Sequence, residues 1–216
     1  MNTTNDAACL HGHAAMIDIA NLDTDQIMPK QFLRGIDKAG LAQGLLYDLR
    51  FDGDGQLRED FVLNRPAFAG TDVLLAASNF GCGSSREHAV WGLQQYGIRA
   101  VIASSFGEIF YSNAMNNRLL LAMVAEADAQ HFMQLAREAD APLVVEIDVA
   151  QQQVRCGGHV AAFTLSDRHR HMFLEGLDII GASLAYRERI DAFAARHWQQ
   201  HPWLQDVARR TRERLG

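Results

Sequence analysis

Between Asn79 and Gly92 the chain reads Asn-Phe-Gly-Cys-Gly-Ser-Ser-Arg-Glu-His-Ala-Val-Trp-Gly. Glycines, hydroxyls and a guanidinium crowded into one short run are the residue types that hold an anion. Gly81 and Gly83 lack a β-carbon, so the chain can turn sharply there and approach a ligand closely. Arg86 offers a planar fork matched to a carboxylate or phosphate. The plainer reading makes Ser84 or Ser85 a helix N-cap and Arg86 a solvated side chain, but a simple cap does not require the Gly-Cys-Gly that precedes it. The run is no dinucleotide fingerprint, because the third glycine of G-x-G-x-x-G is missing and no acid follows the next strand. It has no Gly-Lys-Ser/Thr, and Ser85 fills the place of the last glycine in a G-x-S-x-G elbow. Cys82 would be a nucleophile if a helix N-terminus lowered its thiol pKa. The alternative is a small residue fitted into a tight loop.

The elements around this run must present it. The apolar stretch Asp72 to Ala77 predicts a strand, and Ala89, Val90, Leu93 and Tyr96 fall at helical spacing in a helix expected to begin near Ser84. That helix start would add partial positive charge beside the loop. Ala15 to Ala20 predicts another strand, running into a loop from Asn21 to Pro29, and Lys38 to Tyr47 a short helix. Further along, strands are expected at 100–103, 119–124, 143–148, 153–156 and 159–163, with helices at 106–115 and 128–139. Gly157-Gly158 closes a hairpin, and the chain is helical from Asp167 except around Gly176 and Gly181. Alternating strands and helices point to an α/β layer with parallel strands.

Composition limits the function classes. With 216 residues and 48% hydrophobic content there is enough for a sizeable core. A formal charge of −6 argues against nucleic acid as a partner. No apolar run reaches the roughly 20 residues that span a bilayer, so no membrane partner is expected and the location read by default is the cytoplasm. The three cysteines, Cys9, Cys82 and Cys156, are spaced neither as a disulfide framework nor as a zinc or iron–sulfur site, and no metal is expected on this chain. His169 and His171 would project to different faces of a helix without an acid at ligand spacing, and His197 with His201 lacks the glutamate of H-E-x-x-H. The Asp52-Gly53-Asp54-Gly55 run lacks the terminal glutamate of a calcium loop.

Over roughly residues 16–184 the chain resembles the small subunits of the bacterial isopropylmalate dehydratases, within the swivelling-domain family of the aconitases. The marks are Asp23-Thr24-Asp25-Gln26-Ile27-Met28-Pro29-Lys30-Gln31-Phe32-Leu33, Tyr47-Asp48-Leu49-Arg50-Phe51, Asp60-Phe61-Val62-Leu63-Asn64, Asn79 through Ala89, and Ser105-Phe106 with Ile109-Phe110-Tyr111-Ser112-Asn113. The resemblance implies an α/β, aconitase-like swivelling β/β/α domain over 1–185 with a helical C-terminal extension over 186–216. It implies a hydro-lyase, active as a heterodimer or larger assembly only with a large subunit that carries a [4Fe–4S] cluster. The reaction implied is the dehydration and rehydration that interconverts 2- and 3-isopropylmalate in leucine synthesis. The alternative substrates are methylmalate, dimethylmalate or another substituted malate. Ser84 maps to the family's catalytic base, and Ser85 and Arg86 to carboxylate contacts. Asp23 and Asp25 map to an acidic loop near the chemistry, though both also suit a turn. Thr24, Cys82, Gly83 and Arg34 are expected to line the substrate, Arg34 from the loop that varies around the alkyl group. Val90 stands where proline is common and Gly92 where alanine is usual.

Overall fold

The computed structural model describes residues 8–33 and 40–215, so Arg34 lies outside the described residues. The chain divides into two compact units, Met1–Gly176 and Leu177–Gly216.

In the first unit the elements run β1 (Cys9–Ile17), α1 (Thr24–Ile27), α2 (Leu41–Gly44), α3 (Tyr47–Arg50), β2 (Val73–Ala76), α4 (Glu87–Tyr96), β3 (Ala100–Ala103), α5 (Glu108–Asn116), β4 (Leu120–Met123), α6 (Glu126–Glu138), β5 (Leu143–Asp148), β6 (Gln153–Cys156), β7 (His159–Ala162) and α7 (Asp167–Leu174). All seven strands form one sheet in the order β4-β3-β2-β1-β5-β6-β7. From β1 to β4 neighbouring strands are parallel, and from β1 through β5 and β6 to β7 they are antiparallel. A bridge between Val124 and Phe163, just past the two edge strands, shows the sheet curling toward closure.

Burial follows the two pairing modes. β2 and β3 are buried at every position because helices cover both faces of the parallel half. β5 and β6 alternate, with Val145, Ile147, Val154 and Cys156 inward and their neighbours outward. Phe80, Phe110 and Phe132 are the largest fully buried side chains, and Phe80 meets Phe110 edge-on at 5.5 Å between ring centroids.

Several expected boundaries move, each for a local reason. β1 begins at Cys9 and ends at Ile17, earlier than the apolar run, because its first half alternates polar residues outward. The stretch expected as a loop after Asn21 contains α1. Asp23 caps it by accepting from the Gln26 N–H at 2.8 Å, while the Gln26 side chain accepts from the Asp23 N–H at 3.1 Å. The expected helix over 38–47 is two single turns, α2 and α3, with Lys38 and Ala39 outside the described residues. α4 starts at Glu87, not near Ser84, because Arg86 is extended at φ −127° and ψ 103°. Gly92, which loosens the helix in principle, makes room beneath the acidic turn: a β-carbon there would collide with the Met28 methyl.

The second unit contains α8 (Ile179–Leu184), α9 (Arg187–Gln200) and α10 (Val207–Leu215). α8 runs through Gly181, because Asp178 caps its start by accepting from the Gly181 N–H at 2.6 Å. At the end of α9 the rings of His197 and His201 stack 4.8 Å apart, one turn from each other. Among the described residues no helix is long and apolar enough to cross a membrane.

Candidate active site

The strands β1, β2 and β3 run parallel, so the loops leaving their C-terminal ends converge on one edge, where ligands bind in sheets of this kind. Three loops meet there: 18–23 after β1, 77–86 after β2 and 104–107 after β3. They are joined mainly through the backbone. Gly81 N–H donates to Leu22 O at 2.7 Å, Thr24 N–H to Cys82 O at 3.0 Å and Gly107 N–H to Phe80 O at 2.9 Å. Asn79 N–H donates to the Ser105 hydroxyl at 2.8 Å, and the Asn79 side-chain amide donates to that of Asn21 at the same distance.

The glycines of the run have separate tasks. Gly81 has φ +74° and packs against the Phe110 ring, leaving no space for a β-carbon. Gly83 has φ +87° with only ordinary contact to Asp23, so its need is conformational. Gly107 faces the Gly81 carbonyl so closely that a β-carbon would strike backbone.

Seven of the expected site residues sit in one cluster on this framework, and an eighth, Thr24, lies beneath it. Gly83, Ser84 and Ser85 are exposed. Among the described residues neither serine hydroxyl has a hydrogen-bond partner, and the N–H groups of 83–85 find no acceptor. That leaves donors and hydroxyls open to an anion. Arg86 is mostly buried and forms an ion pair with the half-exposed Asp25, a charge contact and not an aligned hydrogen bond. Asp23 is committed as the cap of α1, so its carboxylate supports the framework. Thr24 is 1% exposed, and its hydroxyl donates to Ser84 O at 2.8 Å. Thr24 lies behind the loop, where this bond sets the backbone of Ser84. Cys82 is half-buried with its thiol 3.2 Å from Asn21 O, tied into the loop junction.

The sequence reading passed over Asn21 and Asn79. Both adopt φ +57°, a left-handed conformation that asparagine tolerates, each a few residues past the end of a parallel strand. That repeated placement of Asn after β1 and β2 is the signal that could have found them.

A cleft of about 400 Å³ on this edge lies near α6, lined by Asp18, Ser78, Ser104, Glu126, Gln130 and Arg137. Ser84 is not among the residues lining this cleft and is itself exposed. Nearby, Tyr111 and His169 lie 6.0 Å apart between ring centroids. Burial pushes the Tyr111 phenol up, and burial with the Arg168 charge pushes the His169 imidazole down, so both are neutral groups at pH 7.

The model of the aconitase C-terminal domain matches residues 6–126. The chain is 62% identical over 209 residues to the protein named 3-isopropylmalate dehydratase small subunit 1 of Chromobacterium violaceum, covering 96% of this chain and 97% of that one. It is 45% identical to the 3-isopropylmalate dehydratase small subunit of Phenylobacterium zucineum, over 91% of this chain and 96% of the relative. The crystal structure titled 3-isopropylmalate dehydratase (leuD) from Methanocaldococcus jannaschii superposes with a TM-score of 0.61 at 29% identity, covering 85% of this chain and 98% of that one.

Proposed function

The chain belongs to the aconitase C-terminal domain family and, within it, to the 3-isopropylmalate dehydratase small subunits, and from that premise we propose that it works with a separate large subunit, in the cytoplasm, to interconvert 2- and 3-isopropylmalate in leucine biosynthesis. The observation that carries the chemistry is Ser84: an exposed hydroxyl on a loop whose carbonyl is tied down by Thr24, with Arg86 alongside.

In this reading Ser84 Oγ takes the proton from the carbon next to a carboxylate. Negative charge then grows on that carboxylate, where Arg86, Ser85 and the free N–H groups of 83–85 meet it. A serine hydroxyl is a weak acid and acts as a base only where its anion is stabilised. Because α4 begins at Glu87, the helix dipole reaches Ser84 only weakly, its effect fading beyond the first turn. The stabilisation then rests on Arg86 and the loop N–H groups. Asp25 holds the guanidinium in place until the substrate carboxylate shares it. Arg34, on the loop expected to face the alkyl group, is proposed to tune substrate choice.

The leaving hydroxyl requires a Lewis acid, and a [4Fe–4S] cluster on the large subunit is proposed to supply it. The cysteines of this chain do not offer a ligand set for one: Cys9 lies on β1, Cys82 in the site loop and Cys156 buried on β6. The exposure of Ser84 also fits closure by a second chain, since proton abstraction gains from excluding water.

The test is ultraviolet absorbance of the unsaturated intermediate, with this chain mixed anaerobically with the reconstituted large subunit and offered 3-isopropylmalate. Signal should require both chains, and Ser84→Ala should lower turnover by about 10²–10⁴-fold with the complex intact. Turnover of methylmalate or dimethylmalate with silence on isopropylmalate would move the assignment to a sibling hydro-lyase. Full activity of Ser84→Ala would remove the serine from the base's role.

A further inference from the structure

Away from the loop site, a set of metal-binding side chains converges on the outer face of the sheet where its parallel and antiparallel halves join. Cys9 and His11 are two apart on β1 and so share a face. The antiparallel register pairs His11 with Glu146 of β5, and cross-strand partners also share a face. Cys9 Sγ lies 3.7 Å from His11 Nε2, and His11 Nδ1 lies 3.9 Å from Glu146 Oε2. One ligand atom from each residue falls within 4.8 Å of the other two. A tetrahedral zinc ion with bonds of about 2.0–2.3 Å holds its donors roughly 3.3–3.6 Å apart, so small rotations of these side chains would close the set.

We propose that Cys9, His11 and Glu146 form a surface site for a thiophilic divalent cation of the Zn²⁺ class. A thiolate, an imidazole and a carboxylate are a donor set that Zn²⁺ accepts readily. Glu146 is already oriented for it. One carboxylate oxygen pairs with Arg155 of β6, while the other faces His11, an outer-shell arrangement common behind metal-bound carboxylates. Asp148, the register partner of Cys9, lies next along the same face but accepts from the Gln151 N–H at 2.8 Å, which leaves the fourth position to water. Sequence spacing does not reveal this set, because Glu146 reaches the two β1 residues only through the strand pairing. An ion there would link β1 to β5.

The experiment titrates the full-length chain, and separately its complex with the large subunit, with Co²⁺ and then Zn²⁺. Co²⁺ should give the sulfur-to-metal charge-transfer band and tetrahedral d–d bands at one ion per chain. Zn²⁺ should displace it and raise the melting temperature. Cys9→Ser should abolish the charge-transfer band, and His11→Gln should weaken binding by about 100-fold or more, while Glu146→Gln weakens it by about 10-fold. Cys82→Ser, which removes the other partly exposed thiol, should leave the band in place. All three strand substitutions are on the outward side of the sheet, so unchanged melting of the metal-free variants shows that they fold. A charge-transfer band that survives Cys9→Ser, binding below one ion per chain, or no thermal shift with Zn²⁺ overturns the proposal.

Discussion

The molecule carries two clusters of reactive side chains, and they are supported in opposite ways. Ser84, Arg86 and Asp25 stand on loops at the ends of parallel strands, and main-chain hydrogen bonds between those loops fix the backbone under them. Cys9, His11 and Glu146 stand on the outward face of paired strands, placed by register and held only by side-chain contacts such as the Glu146–Arg155 pair. The difference matches what each is asked to do. Proton abstraction loses rate with sub-ångström misplacement of the base, so its position has to be built into the fold beforehand. A metal ion draws its own ligands together and tolerates looser placement. Backbone-level changes should therefore damage the first cluster heavily, and side-chain changes should barely disturb the framework of the second.

Gly81→Ala is the severest form of that contrast. The substitution places a β-carbon in a left-handed residue at φ +74° and drives it into the Phe110 ring. Left-handed strain of about 1 kcal/mol plus overpacking of about 2 kcal/mol gives a loss near 3 kcal/mol. Urea denaturation of the full chain measures it. Gly83→Ala, at φ +87° with ordinary van der Waals neighbours, is the control and should cost only about 1 kcal/mol. Equal losses at the two glycines would show that Phe110 yields and that the loop junction is softer than its hydrogen bonds suggest.

Much of this was legible in the residues. The strand β5 and the buried runs of β2 and β3 are read from apolar pattern and β-branched content, and the glycine-serine-arginine loop stands out because no cap requires its chemistry. What pattern reading blurred were polar or short elements. β1 starts among histidines that face solvent, so apolar counting begins too late. α1 is a single turn, declared only by the Asp23 and Gln26 reciprocity. The start of α4 slipped because the serines that resemble caps lie ahead of Arg86, whose extended backbone delays the helix to Glu87. The role of Thr24 and the meeting of Glu146 with Cys9 depend on tertiary register, which no local window contains.

Thr24→Val tests whether the framework acts through a single side-chain bond. Valine keeps the shape and burial of threonine but removes the donor to Ser84 O. The expected stability loss is about 1 kcal/mol, and turnover should fall by about 10-fold with little change in KM, because Ser84 shifts while the carboxylate contacts remain. Serine at this position should restore most of the turnover. A rise in KM with turnover intact would place Thr24 against substrate.

The smallest effect is expected on the sheet face. Arg155 lies directly across from Glu146 in the β5–β6 register, and both side chains are 35% exposed. A cross-strand ion pair this open to water contributes a few tenths of a kcal/mol, weakened further by salt. Arg155→Gln in the metal-free chain should therefore shift the urea midpoint by an amount equivalent to about 0.5 kcal/mol, and by less in 1 M salt, where the screening length is about 3 Å. A loss above about 2 kcal/mol that salt does not reduce would mean that this face is held by its side chains as firmly as the loop site is held by its backbone. The register alone would then not explain why Cys9, His11 and Glu146 meet.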